Sequence, residues 1–407
     1  MISLKLPDTL KVAGNLLLST LFIINYSLLI IEVKVFIQSI VAQLILNPYI
    51  CWRGYQAIPA KKSWRIPYIL FFVIELSIFL FGFIFRNELP DDVMIPIQYF
   101  CNTWYIASIY ITLSLLLLEA LRLSNRFLDW FPKWIKAHWK ETKLTLFFAI
   151  IAGVTGLMFH AYHVVAYPQV TNVYLTLPKG SSDRDSMTIV MMSDLHIGEM
   201  IGKKLVQRYV QMSNAQHPDM VVLVGDLIDY ESRFAEKAHI EDDLQQLQAP
   251  LGVYAVMGNH EYRANRFAKI RWIKKTGATL LVDSVVSPDN SFYLIGRDDY
   301  VNKAHRKTLH TLMAGLDTTK PLIVLDHQPW SFAEMAMNGV DLGLHGHTHN
   351  GQLWPYPLLM KFIYECPYGY DRKGPTQFYV SSGIGIAGPP YRVGTVSELV
   401  VLHIRFV

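Results

Sequence analysis

Cysteine is nearly missing from this sequence: there are three in 407 residues, at positions 51, 101 and 366. Cys51 and Cys101 fall in apolar stretches and Cys366 stands alone in the C-terminal half. That excludes a disulfide framework and a thiolate metal site, and it leaves the compartment unspecified. Charge is also scarce, with Asp, Glu, Lys and Arg making up 17% of residues against 52% hydrophobic ones, an apolar balance high for a soluble chain. Repeats and low-complexity tracts are absent, which excludes a repeat architecture. The net charge of +4 makes no case for a nucleic-acid partner, because much of the positive charge sits in loops between apolar stretches, where membrane orientation accounts for it.

What the chain does have is long apolar stretches, confined to its N-terminal region. Crossing a bilayer takes about 20 apolar residues, and five stretches approach that length: Val12 to Ile31, Val35 to Trp52, Pro67 to Phe85, Ile97 to Leu118 and Leu144 to Val165. Their succession, without a small-residue cleavage site, reads as retained anchors rather than a signal peptide. Arg53, Lys61, Lys62 and Arg65 follow the second stretch, and Arg122, Arg126, Lys133, Lys136, Lys140 and Lys143 follow the fourth. Both loops are expected to be cytoplasmic, which places everything after Pro168 outside the cytoplasm. Glu75, inside the third stretch, is expected to face other helices, protonated or hydrogen-bonded. His160 and His163 read as interfacial residues at a membrane exit. The chain is accordingly expected to divide into a transmembrane region, 1–167, and a globular domain, 168–407.

In the globular domain a single arrangement recurs: a short run of β-branched and aliphatic residues, then a polar cluster. Met187 to Met192 leads into Ser193-Asp194-Leu195-His196, and Met220 to Val224 into Gly225-Asp226-Leu227-Ile228-Asp229. Val253 to Met257 leads into Gly258-Asn259-His260-Glu261, Leu322 to Leu325 into Asp326-His327, and Asp341 to Leu344 into His345-Gly346-His347-Thr348-His349. Amphipathic helices are expected over Lys203 to Ala215 and Ile240 to Gln248. The alternation predicts an α/β domain whose polar clusters gather at strand C-termini.

These residue types suit a two-metal site. In Asp194-x-His196 and His347-x-His349, extended backbone would point both side chains to one side. Asp226 offers two oxygens, enough to bridge two cations about 3.5–4 Å apart. Asn259 brings a neutral carbonyl oxygen and His327 another imidazole. Carboxylate, imidazole and amide together suit Mn, Fe or Zn better than Ca or copper.

The five clusters, Asp-x-His, Gly-Asp-x-x-Asp, Gly-Asn-His-Glu, a lone His before x-Pro, and Gly-His-x-His, resemble the calcineurin-like metallophosphoesterases. The fuller strings Gly258 to Tyr262 and Gly346 to Gln352 resemble its membrane-anchored branch, which includes bacterial membrane-associated phosphodiesterases and transmembrane proteins with a metallophosphoesterase domain. The resemblance covers roughly Thr188 to His403. It implies a two-sheet β-sandwich flanked by helices, following a multi-span helical membrane region. It also implies two divalent ions, one held by Asp194, His196 and His349, the other by Asn259, His327 and His347, with Asp226 bridging. In that scheme a bridging hydroxide attacks phosphorus and His260 protonates the leaving oxygen. Asp229 is expected to orient a ligand rather than be one. His345 and Asn350 depart from the commonest pattern of the branch.

The stretch Leu353 to Tyr370 is apolar for a surface loop and follows the last ligands directly. It reads equally as a segment that meets the bilayer or an acyl chain, or as packing under a sheet edge. A multi-pass protein of a bacterial cell membrane that acts on a lipid-linked phosphodiester or pyrophosphate is the leading expectation, with membrane lipid as partner. The competing class is a membrane sensor or transporter-like protein whose phosphoesterase domain binds metal but regulates. The complete set of ligands, with His260, argues against it.

Overall fold

The computed structural model describes residues 40–86 and 88–407. The apolar stretch 12–31 and the first residues of 35–52 lie outside the described residues, and helical backbone runs over 40–57. Three helices follow that are long and apolar enough to cross a membrane: α1 (Lys62–Ile84), α2 (Asp91–Leu128) and α3 (Trp139–Ala166). At 1.5 Å per residue, their 23, 38 and 28 residues extend about 34, 57 and 42 Å, against a hydrocarbon core of about 30 Å. They contain the third apolar stretch as far as Ile84 and the whole of the fourth and fifth.

The chain clusters into two compact units. The first comprises the described residues up to Leu80 together with Ser108–Ile150. In it, Glu75 is fully buried and accepts a hydrogen bond of 2.6 Å from Asn47, which also donates to Gln43 at 2.7 Å. This is the hydrogen-bonded, inward-facing arrangement expected for a carboxylate in an apolar helix. Arg53 and Glu119 form an ion pair between the 40–57 helix and α2.

The second unit comprises Phe81–Ala107 and Ile151–Val407. It holds two six-stranded sheets. The first sheet has the order β1 (Gln169–Leu177), β12 (Glu398–Phe406), β2 (Ser186–Met192), β3 (Met220–Val224), β4 (Val253–Val256), β5 (Thr279–Leu281). The second runs β10 (Gly369–Lys373), β11 (Thr376–Val380), β9 (Leu342–His345), β8 (Leu322–Leu325), β7 (Tyr293–Gly296), β6 (Ser284–Val286). Strands β2 to β5 are mutually parallel, as are β7, β8, β9 and β11. Helices α4 (Lys203–Asn214) and α5 (Arg266–Lys275) flank the first sheet, and α6 (Tyr356–Ile363) follows the last ligands.

Strand alternation sorts the side chains into layers. Met187, Ile189 and Met191 of β2 and Met220, Val222 and Val224 of β3 face Ile323, Leu325, Leu342 and Leu344 of the second sheet in one core. The alternate residues Val190, Met192, Val221 and Leu223 pack outward on Val206, Tyr209, Val210, Trp272 and Ile273 of α4 and α5. On the far side, Val324, Phe378 and Val380 pack on the short helices that carry Leu309, Leu312, Phe332 and Met335. Strands buried on both faces must be apolar throughout, which is why these runs show no polar alternation. The result is the two-sheet sandwich flanked by helices. The helix expected over Ile240 to Gln248 ends at Leu244 instead. Asn214 holds the Gln246 carbonyl and the Gln248 N–H, at 2.8 and 2.9 Å, in a turn ahead of Pro250.

Candidate metal centre

Parallel strands share a direction, so the C-termini of β2, β3 and β4 in one sheet and of β8 and β9 in the other open on the same edge. The loops there bring Asp194, His196, Asp226, His327, His347 and His349 together, with three sets of groups spaced to hold a cation: Asp194, His196, His349; Asp226, His327, His347; and His196, Asp229, His260. His349 Nε2 lies 3.3 Å from Asp194, and His327 Nε2 lies 3.1 Å from Asp226. The first two sets connect, because His196 Nε2 is 3.8 Å from Asp194 and 3.7 Å from Asp226.

Extended backbone is not how these pairs converge. Asp194, His196, Asp226, His347 and His349 all have positive φ, between 48° and 73°. This left-handed region costs a non-glycine residue of order 1–3 kcal/mol and is concentrated at functional sites. Each polar cluster turns sharply after its strand, so backbone turns, not strand alternation, aim the side chains. The turns need two glycines beside them. A Cβ on Gly258 would collide with the Asp226 carboxylate and N–H, and one on Gly346 with the Asp194 carboxylate and Ser193.

Hydrogen bonds fix the rest. The Asp194 carboxylate accepts from the His347 N–H at 3.0 and 3.1 Å and from the Ser193 hydroxyl. Asp226 accepts from the His260 N–H at 2.8 Å. His327 donates Nδ1–H to the Val224 carbonyl at 2.8 Å, which turns Nε2 inward. Asp229 Oδ1 is 3.1 Å from His196 Nδ1 and 3.0 Å from His260 Nδ1, within reach of both rings.

Burial would push the two aspartates up, but the surrounding imidazoles outweigh it. His349 and His327 hold Asp194 below the usual carboxylate range, and His327 and His260 do the same for Asp226. Burial disfavours a charge on His196, yet hydrogen bonds to Asp194 and Asp229 raise it to about 10; Asp226 and Asp194 likewise raise His327. Burial, then the charge of His327, lowers His347 to about 4. Two ionised carboxylates are thus balanced by protons on imidazoles, and divalent cations can displace those protons.

Two observations test whether metal fits. The Asn259 side-chain oxygen and His327 Nε2 are buried without a hydrogen-bond partner among the described residues. His196 Nε2 and His349 Nε2 face each other at 3.0 Å, a contact of two ring nitrogens that a shared cation would satisfy. The donor set fits a divalent metal.

Three further residues, to which the motifs assign no role, brace the site. Glu261, fully buried, accepts the backbone N–H groups of Asp226, Leu227, Ile228 and Gly258 at 2.9, 2.9, 3.1 and 2.7 Å. Its place in Gly-Asn-His-Glu was the available signal. Lys269, also fully buried, donates to the His260 carbonyl at 2.6 Å. Arg392 donates to the carbonyls of His349 and Gly385 at 3.2 and 2.9 Å and to that of Ser382, with no local sequence cue. His345 points away from the cluster, its Nδ1 on the Asp326 carbonyl at 2.6 Å and its ring beside Phe332.

The profile of the calcineurin-like phosphoesterase family matches residues 187–351. An uncharacterized metallophosphoesterase of Campylobacter jejuni is 32% identical over 244 residues, 58% of this chain and 63% of that one. The chain therefore spans somewhat under two thirds of that relative. A transmembrane protein with metallophosphoesterase domain from Danio rerio is 27% identical over 394 residues, covering 91% and 88% of the two chains. An uncharacterized metallophosphoesterase of Helicobacter pylori is 28% identical over 351 residues, covering 84% and 91%. With the sandwich and its strand-end cluster of carboxylates and imidazoles in place, the family match identifies residues 187–351 as a calcineurin-like phosphoesterase domain.

Proposed function

We propose that residues 168–407 hydrolyse a phosphate ester with two divalent ions, Mn, Fe or Zn, outside the cytoplasm of a bacterial cell to whose membrane several helices tether them. The convergence of six ligand-type side chains from both sheets, with the buried and unpartnered oxygen of Asn259, carries this reading. Asp194, His196 and His349 would hold one ion; Asn259, His327 and His347 would hold the other; Asp226 would serve both. The ions, when bound, supply Lewis acidity that polarises the phosphate and an attacking water.

The remaining work falls to the chain. Asp229 accepts from His260 Nδ1 through both its carbonyl, at 2.7 Å, and its carboxylate, so the proton sits on Nδ1 and Nε2 turns to the substrate side. An imidazolium there can give its Nε2 proton to the leaving oxygen. Glu261 fixes the loop of Asp226, and Lys269 fixes the backbone of His260.

The substrate class that suits a membrane-tethered domain is a lipid-linked phosphodiester or pyrophosphate, and the basic loops after the 40–57 helix and α2 support the outward orientation. Purified full-length chain with Mn, given bis-aryl phosphate, aryl phosphate and nucleotide-lipid substrates, is expected to prefer the diesters; turnover of monoesters only would refute the diester reading. A reporter fused after Pro168 is expected to report the extracytoplasmic face, and a cytoplasmic signal would reverse the orientation.

A further inference from the structure

Among the described residues, helix α6 leaves its apolar side chains uncovered. Tyr356, Leu358, Leu359, Phe362 and Ile363 are each at least half exposed, Phe362 at 88%. No residue of the helix is buried, which removes packing under the sheet edge as its explanation. Five large apolar groups on so short a helix form a contiguous surface of the kind that has an occupant.

The position of the helix points to which one. Trp354 donates its N–H to the Val393 carbonyl at 2.8 Å, and Gln352 holds the Ala387 and Pro389 carbonyls at 3.2 and 3.1 Å. The segment so tied down leans on the apolar helices: Tyr391 and Thr103 of α2 share a hydrogen bond of 2.5 Å, and the Arg392 N–H reaches the Ala161 carbonyl of α3 at 3.2 Å. The Tyr391 ring lies 6.4 Å from that of Tyr162. Ala161 is about 7 Å along the axis from the end of α3 at Ala166. At this level α2 carries Tyr99, Trp104 and Tyr105 and α3 carries Phe159 and Tyr162, the aromatic composition of helices passing from hydrocarbon to headgroups.

We propose that α6 is an interfacial helix, inserted in the lipid leaflet from which α2 and α3 emerge. Both ends of α6 lead into the metal centre. His349 lies seven residues before Tyr356, and Tyr364, immediately after the helix, has its ring 6.1 Å from that of His347 and 4.5 Å from that of Trp330. Seating α6 in the leaflet sets the mouth of the cluster against the headgroup layer, where the phosphate of a membrane lipid lies. This deepens the proposed lipid-linked substrate class and rests on α2 and α3 spanning the membrane.

Full-length chain in phosphatidylglycerol–phosphatidylethanolamine liposomes, carrying a photoreactive benzophenone amino acid in place of Phe362, provides the test. The same probe in place of Met337 is the control: that residue is 81% exposed and precedes β9, at the strand end opposite His347. On irradiation the 362 probe is expected to give phospholipid adducts at about tenfold or more the yield of the 337 probe. Equal yields, or a covalent dimer of the chain instead of lipid adducts, would overturn the proposal. Adduct formation needs no turnover, so failure of the hydrolytic reading and failure of this one are told apart.

Discussion

Glu261→Gln removes a charge that touches no substrate, yet it should be among the most costly substitutions in the domain. One carboxylate oxygen accepts from Leu227 and Ile228, the other from Asp226 and Gly258. A carboxylate accepts at both positions; a glutamine amide turns one of them into a donor facing two N–H groups. Losing two charge-assisted hydrogen bonds in a fully buried site, at about 1.5–3 kcal/mol each, gives a destabilisation of about 3–6 kcal/mol. For a domain of this size that corresponds to a drop in Tm of about 6–24 °C. Thermal melts of the full-length chain in detergent, with chelator present so that metal binding does not compensate, read it directly. A shift of less than about 2 °C would mean that the four N–H groups find other acceptors, and that Glu261 does not hold the Asp226 loop.

The remaining predictions concern the groups around the cluster. Burial lowers Lys269 from its ordinary 10.5 to about 8, so the folded chain binds fewer protons than the unfolded one between those values and stability rises with pH. Relative to Lys269→Met, the wild type should gain about 2 kcal/mol between pH 7 and pH 9.5 in denaturant melts; a pH-independent difference would refute the assignment. His260→Ala should leave metal content unchanged while lowering turnover about 100-fold or more, the loss being larger for substrates with poor leaving groups. An equal loss for good and poor leaving groups would remove His260 as the proton donor. Asp229→Asn, which loosens both His196 and His260, should weaken metal binding about 10- to 100-fold by titration.

Much of this was legible because local rules and the fold agree. Met220–Val224 and Leu322–Leu325 are apolar runs bounded by polar turns, and they form strands with those limits. The site lay at their ends, so the order of the polar clusters along the chain already mapped the cluster in space. Three things were not legible. The aim of Asp194 and His196 comes from left-handed turns that composition does not announce, since aspartate and histidine carry no obligatory mark of positive φ. Arg392 acts on His349 across 43 residues, a contact set by the return of the chain to β12. The parallel pairing of β1 with β12 joins the first and last strands of the domain, beyond the reach of any periodicity. The exposure of α6 is similar: its sequence fits a buried or an inserted helix equally, and only the packing of its neighbours separates them.

The central claim is that the strand-end cluster hydrolyses phosphate esters with bound metal. Turnover of bis-aryl phosphate by the purified full-length chain with Mn, measured alongside Asp226→Asn and metal content per chain, tests it most directly. The account predicts two ions per wild-type chain, and for Asp226→Asn a loss of metal together with a fall in turnover of about 1,000-fold or more. Unchanged turnover in Asp226→Asn, or a wild-type chain that loads metal and hydrolyses nothing, would contradict it.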